Sequence, residues 1–192
     1  MNKNEAIATI ISATTLEPIV WTTGYASRIA AGVDDRPSHF YMTGSMGLAS
    51  SIAAGVARQT GLPTVVVDGD GSLLMNFSSL PMVGSCGAVR LVHVVLDDAS
   101  YESTGGQALT HLVDFSQCAL SSGYSHAVEV EGASSLRQGM AAALERRGTT
   151  LIHCTLSGER DDLPPRIADA PQSTARRFAG HLATVRALGT LI

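Results

Sequence analysis

Six short apolar runs separated by helical patterns predict an α/β fold, a doubly wound, mostly parallel six-stranded sheet with helices on both faces. Three observations carry this. Runs such as Val65–Val67 and Leu91–Leu96 are apolar without alternation, as in strands covered on both sides. Helical periodicity fills the gaps between consecutive runs. A chain of 192 residues that is 45% hydrophobic and 16% charged has the length and apolar content for one full core. The chain reads as a single domain, residues 1–192, with a C-terminal helix over 172–190. There is no internal repeat and no low-complexity tract.

Taken in order, Ile7, Ile10 and Ile11 share one face of an opening helix over residues 3–15. Residues 18–22 make the first strand, and a helix over 24–31 follows a glycine turn. A second strand over 39–42 runs into Thr43-Gly44-Ser45-Met46-Gly47, which opens an Ala-rich helix over 48–59. Gly61-Leu62-Pro63 ends that helix, and 64–67 is the third strand. One helix is expected over 72–84. The fourth strand covers 89–96, a short helix 114–122 and the fifth strand 125–130. Leu136, Met140 and Leu144 mark the buried face of a helix over 134–147, and 150–156 is the sixth strand. Residues 161–165 form a stiff connector before the last helix, whose apolar stripe is Phe178, Leu182 and Val185.

Composition excludes several classes. A formal charge of −4 gives no electrostatic case for nucleic acid or an anionic membrane. No stretch reaches eighteen uninterrupted apolar residues, and the N-terminus has no apolar core with a cleavage site; a cytoplasmic protein is expected. Cys86, Cys118 and Cys154 are odd in number and far apart, which favours buried free thiols. No histidine or cysteine has zinc-site spacing.

Chemistry concentrates between Val65 and Gln107. One apolar strand ends in Asp68-Gly69-Asp70-Gly71, and another ends in Asp97-Asp98. Two neighbouring strand ends thus present carboxylates beside glycines that let a ligand reach the backbone. Open α/β sheets bind ligands in the crevice at the carboxyl ends of their strands. Mg²⁺ takes oxygen ligands and bridges protein carboxylates to phosphates. A diphosphate with a divalent metal is the ligand this stretch suggests. Asp70 is the leading metal ligand, with an N-capping role as its plain alternative. The turn at 43–47 either meets a polar ligand with free N–H groups or only packs closely.

At these residues the chain resembles the thiamine-diphosphate enzymes. In them a GDG triplet is followed, after a helix and a strand, by an element that completes the metal site. Here Gly69-Asp70-Gly71 is followed by 25 residues (Ser72–Leu96) and then Asp97-Asp98-Ala99-Ser100-Tyr101. Tyr101–Gln107 (YESTGGQ) and Thr43–Gly47 (TGSMG) narrow the resemblance to the phosphonopyruvate and sulfopyruvate decarboxylases. The resemblance covers roughly residues 15–190 and implies the diphosphate-binding (PP-type) domain. It assigns Mg²⁺ to Asp70, Asp98 and the Ser100 carbonyl, with Asp98 standing where the family usually has Asn. It assigns thiamine diphosphate to Gly44, Ser45 and Met46 at the pyrimidine, where Met46 wedges the cofactor into a bent shape. The diphosphate falls to Gly69, Asp70, Gly71 and Ser72, the last through its side chain and backbone N–H. Asp98, Ser100, Tyr101 and Glu102 complete the cofactor set, and Tyr101–Gln107 would cover the diphosphate or the substrate entrance. His111 is the one histidine singled out, as a possible contact to an acidic substrate; Asp97 braces the loop, and His93 reads as core or interface.

In this family a second domain holds the pyrimidine and supplies an activating glutamate. None of the seven glutamates here stands where that task needs one. The resemblance therefore implies a β subunit working with an α subunit that carries the pyrimidine-binding domain, as an α₂β₂ or larger assembly. Its substrate would be a small acidic 2-oxoacid, phosphonopyruvate ahead of sulfopyruvate. The other class open to this sequence is a non-catalytic module that binds some other phosphate ligand.

Overall fold

A computed structural model describes residues 1–101, 104–108, 113–157 and 163–189. Among them, six strands form one all-parallel sheet: β1 (Ile19–Trp21), β2 (His39–Tyr41), β3 (Thr64–Gly69), β4 (Leu91–Asp97), β7 (His126–Glu131) and β8 (Thr149–Thr155), in the order β2-β1-β3-β4-β8-β7. A separate antiparallel pair, β5 (Ser100–Tyr101) and β6 (Gln107–Ala108), forms a small hairpin beyond β4. The helices are α1 (Lys3–Ser12), α2 (Tyr25–Val33), α3 (Ala49–Thr60), α4 (Asp70–Met75), α5 (Ser79–Gly84), α6 (Phe115–Ser121), α7 (Ala133–Glu145) and α8 (Pro171–Gly189).

Alternate strand residues face opposite layers, as the two-residue period of a strand dictates. Trp21, Val65, Val67, Val94 and Ile152 pack on one face with Ile7 and Ile10 of α1, Ile29 of α2, and Leu136 and Met140 of α7. Val20, Val66, Val95 and Leu151 pack on the other with Ala53 of α3, Leu73 of α4, Leu80 of α5, Phe115 of α6 and Phe178 of α8. The sheet is doubly wound, and both faces are covered. Local chemistry sets the helix ends. Asn2 and Glu5 close a capping box on α1, and Gly61, at φ +71°, ends α3 in the left-handed conformation that glycine adopts without strain.

The expected single helix over 72–84 is two. Asn76 leaves the helix to donate from Nδ2 to the Gly47 carbonyl at 3.0 Å, and residues 76–78 turn. Pro81 would break a continuous helix here. The turn places it in the first turn of α5, where its missing N–H costs nothing. The opening helix stops at Ser12 rather than at residue 15, where Thr14 turns its hydroxyl back onto the Ile10 and Ile11 carbonyls. Of the three thiols expected to be buried, only Cys154 is; Cys86 and Cys118 are half-buried. Residues 161–162 of the expected connector lie outside the described residues.

Candidate functional site

The carboxyl ends of β1, β3 and β4 surround a cleft of about 250 Å³. Its lining includes Met46, Gly69, Asp70, Gly71, Ser72, Ser100 and Tyr101, which sequence reasoning singles out. Gly71 keeps the cleft open. A Cβ there would stand 3.0 Å from Tyr101 Cδ1 and 3.8 Å from Met46 Cε, so a side chain would fill the space between those two residues. Gly44, Ser45 and Asp98 are adjacent in sequence but do not line the cleft themselves. Glu102 and His111 lie outside the described residues.

Asp70 starts α4 at the end of β3. Its Oδ1 accepts from the Gly71 N–H at 2.6 Å and its Oδ2 from the Ser100 N–H at 3.1 Å, which ties the GDG turn to the loop after β4. Burial pushes its carboxyl up to about 7. The Gly71 N–H opposes that shift, and the charges of Asp98 and Asp97, with a hydrogen bond to Asp97, reinforce it. Burial acts in the same sense on Asp97, but hydrogen bonds from His153 and the Ala99 N–H outweigh it and hold this carboxyl low. His153 Nε2 is 2.7 Å from Asp97 Oδ2, and the Ala99 N–H donates to Asp97 Oδ1 at 2.9 Å. Asp97 therefore braces the loop, in which Ala99 sits at φ +53°. Asp98 pairs instead with Lys3 of α1, Nζ to Oδ2 at 2.8 Å.

These carboxylates suit a hard cation in the kind of ligands they offer. Among the described residues no three acidic, imidazole or thiol groups converge on a preformed metal site.

Behind the cleft lies a buried polar chain. Ser72 Oγ donates to Asp68 Oδ1 at 2.7 Å, so the Thr22 hydroxyl at 2.7 Å and the Gly47 N–H at 3.3 Å both donate to it. A hydroxyl has one donor and two acceptor sites, and all three are spent. Of the two contacts expected from Ser72, the backbone N–H remains for a ligand. Asp68 Oδ2 is 3.2 Å from His93 Nε2; with that nitrogen donating, Nδ1 accepts from the Tyr124 hydroxyl at 2.9 Å. His93 is a core residue, as expected. This network holds the β1 end, the 43–47 turn and the GDG turn together, and Asp68 is its centre. A register argument could have found the pairing, since His93 opposes Val66 and Asp68 follows two residues later on the same face of the sheet.

Sequence reasoning also missed the first wall of the cleft, Thr22, Thr23, Gly24, Tyr25 and Ala26, together with Lys3 and Leu96. A signal was present: Thr22-Thr23-Gly24 follows β1 as Asp70-Gly71 follows β3.

Comparisons with known proteins bear on this geometry. Residues 22–154 match the family described as thiamine pyrophosphate enzyme, C-terminal TPP binding domain. The chain is 42% identical to phosphonopyruvate decarboxylase of Streptomyces viridochromogenes over 169 residues, 86% of this chain and 42% of that protein. It is 33% identical to the sulfopyruvate decarboxylase subunit beta of Methanothermobacter thermautotrophicus, covering 92% of this chain and 93% of that subunit. The chain thus spans less than half the length of the phosphonopyruvate decarboxylase and nearly all of the beta subunit. Among solved structures, benzoylformate decarboxylase from Polynucleobacter necessarius superposes with a TM-score of 0.69 at 20% identity, over 82% of this chain and 33% of that one, a likeness of fold. With this match over the strands that build the cleft, the chain belongs to the thiamine pyrophosphate enzymes and carries their C-terminal TPP-binding domain.

Proposed function

We propose that this chain is the diphosphate-binding half of a thiamine-diphosphate- and Mg²⁺-dependent 2-oxoacid decarboxylase. In this reading it works with an α subunit that contributes the pyrimidine-binding domain and the activating glutamate, in an α₂β₂ or larger assembly. The observation that carries the reading is the extent of the similarity, end to end with a decarboxylase beta subunit and over only part of a longer decarboxylase. The preferred substrate is 3-phosphonopyruvate, giving phosphonoacetaldehyde and CO₂, because among the matches that span more than four-fifths of this chain the higher identities, 42% and 41%, are to phosphonopyruvate decarboxylases. Sulfopyruvate is the alternative.

The cleft has the features this role needs. Gly71 leaves the space, Met46 stands beside it as an adaptable apolar support, and Tyr101 closes one side. Asp70 and Asp98, with the Ser100 carbonyl, would hold Mg²⁺; Gly69, Gly71 and the Ser72 N–H would meet the diphosphate. Gly44 and Ser45, with Met46, would meet the pyrimidine. Bound thiamine diphosphate supplies the nucleophile and the electron sink for loss of CO₂. The protein's own work is to bind, orient and keep water out. Lys3 offsets part of the extra negative charge that Asp98 brings beside a diphosphate.

The test is CO₂ release by the chain mixed with its candidate α subunit. Decarboxylation of phosphonopyruvate by the mixture, absent from either part and from the Asp70→Ala variant, is expected. Full activity in that variant would remove Asp70 from the metal site, and inactivity of the mixture toward both oxoacids would favour a non-catalytic phosphate-binding module.

A further inference from the structure

A second cavity, of about 330 Å³, adjoins the cofactor cleft, and Thr23, Gly24 and Tyr25 line both. Arg28 and Arg166 also line the second cavity. Arg28 lies on α2 and donates to the Pro164 carbonyl from Nε, at 2.8 Å, and from Nη2. It also sits over the Tyr25 ring, 5.7 Å from the centroid. These contacts fix the guanidinium but leave its charge uncompensated. Arg166 is exposed, yet the segment that carries it is anchored on both sides. Pro164 packs against α2 so closely that a Cβ on Gly32 would meet its ring at 3.0 Å, and Ile167 packs on the core.

Elsewhere the arginines near this edge are neutralised, Arg36 by Asp34 and Arg177 by Asp35. Among the described residues, Arg28 and Arg166 have no carboxylate partner. Thr23 and Thr43 also line the cavity, and their hydroxyls have no hydrogen bond among the described residues. The N-terminus of α2 opens here as well, with Gly24 as a cap that offers no side chain to its N–H groups. Two arginines without a carboxylate, two threonines and the N-terminus of α2 around one cavity form a donor set with no acceptor charge among the described residues. Guanidinium groups bind tetrahedral oxyanions through paired N–H donors, which a carboxylate-lined site would repel.

We propose that this cavity binds the tetrahedral oxyanion of the substrate, a phosphonate or a sulfonate, with Arg28 and Arg166 as its specificity-determining residues. The proposal rests on the decarboxylase reading above and adds to it a place for the substrate's acidic tail on this chain. The shared wall lets the 2-oxoacid end of the same molecule face the cofactor cleft.

The experiment titrates the full chain, combined with its candidate α subunit, with 3-phosphonopropionate, 3-sulfopropionate and succinate, none of which has a keto group to react. Thiamine diphosphate with Mg²⁺ is titrated into the same preparations. Binding of the phosphonate or the sulfonate at least tenfold tighter than succinate is expected, and the tighter of the two names the substrate. Arg166→Ala should weaken that binding at least tenfold and leave cofactor affinity within twofold. Arg166→Lys, which keeps the charge but loses the fork, gives a second measure and leaves the Arg28–Pro164 anchor in place; a loss of threefold or more is expected. Succinate binding as tightly, no binding of either oxyanion, or an unchanged affinity in Arg166→Ala would overturn the proposal. So would an equal loss of cofactor affinity, because the arginines would then serve the cofactor. Failure of the oxyanion arm alone leaves the decarboxylase reading standing, whereas failure of the cofactor arm strikes that reading itself.

Discussion

Replacing Ser72 with alanine separates a structural role for its hydroxyl from a ligand-binding one. The hydroxyl is buried and makes three hydrogen bonds, to Asp68, Thr22 and Gly47. Its loss leaves Asp68 Oδ1 without its charge-assisted donor, at about 1.5–3 kcal/mol, while Oδ2 keeps His93. The Thr22 hydroxyl can rotate, and the Gly47 contact is long at 3.3 Å, so together they add about 1 kcal/mol. A destabilisation of about 2.5–4 kcal/mol follows, which for a domain of this size lowers Tm by roughly 5–16 °C. Urea unfolding and calorimetry measure it, and the urea midpoint should fall with the slope unchanged. Asp68→Asn should overlap with it, the double variant costing less than the sum by about 1 kcal/mol or more. A Tm within about 2 °C of the parent, together with lost thiamine diphosphate binding, would refute this reasoning and return the hydroxyl to the ligand.

Three further outcomes are expected. Gly71→Ala should lower thiamine diphosphate affinity at least tenfold by titration while stability changes by less than about 1 kcal/mol, because half-buried Tyr101 can shift away from the added methyl group. Gly84→Ala should cost at least about 3 kcal/mol in urea unfolding, because its Cβ would fall 1.9 Å from the Ser122 carbonyl oxygen, a backbone atom that cannot yield cheaply. His39 is fully buried, and its burial lowers the imidazole from 6.5 to about 4. The unfolded chain then binds the extra proton between those values. Its contribution is complete above pH 6.5 and is lost as pH falls toward 4, on the order of 3 kcal/mol. His39→Phe should flatten the acid limb of stability against pH, and an unchanged limb would contradict the assignment.

The sheet was legible because its strands are fully covered and read as unbroken apolar runs, Val65–Val67 and Leu91–Leu96 above all. Their carboxyl ends located the cleft for the same reason, since an α/β crossover leaves glycines and carboxylates where the strands stop. The break in the helix at residues 76–78 was missed because it depends on Asn76 reaching the Gly47 carbonyl, a contact between segments far apart in sequence. Pro81 was the local sign of it. The Lys3–Asp98 pair spans 95 residues and has no local sign at all. Asp68 was overlooked beside the two acidic residues expected at the metal; its value comes from His93 on the next strand, which only register reveals. The arginine cavity depends on the chain after β8 returning to α2, a path that periodicity does not encode.

The most direct measurement is a calorimetric titration of thiamine diphosphate with Mg²⁺ into the chain combined with its candidate α subunit, for the parent and for Asp70→Ala. Saturable, Mg²⁺-dependent binding by the parent mixture, lost in Asp70→Ala while the fold persists by circular dichroism, is the expected result. Absence of binding in the parent mixture, or equal binding by the variant, would contradict the assignment of this cleft to the cofactor and of Asp70 to its metal.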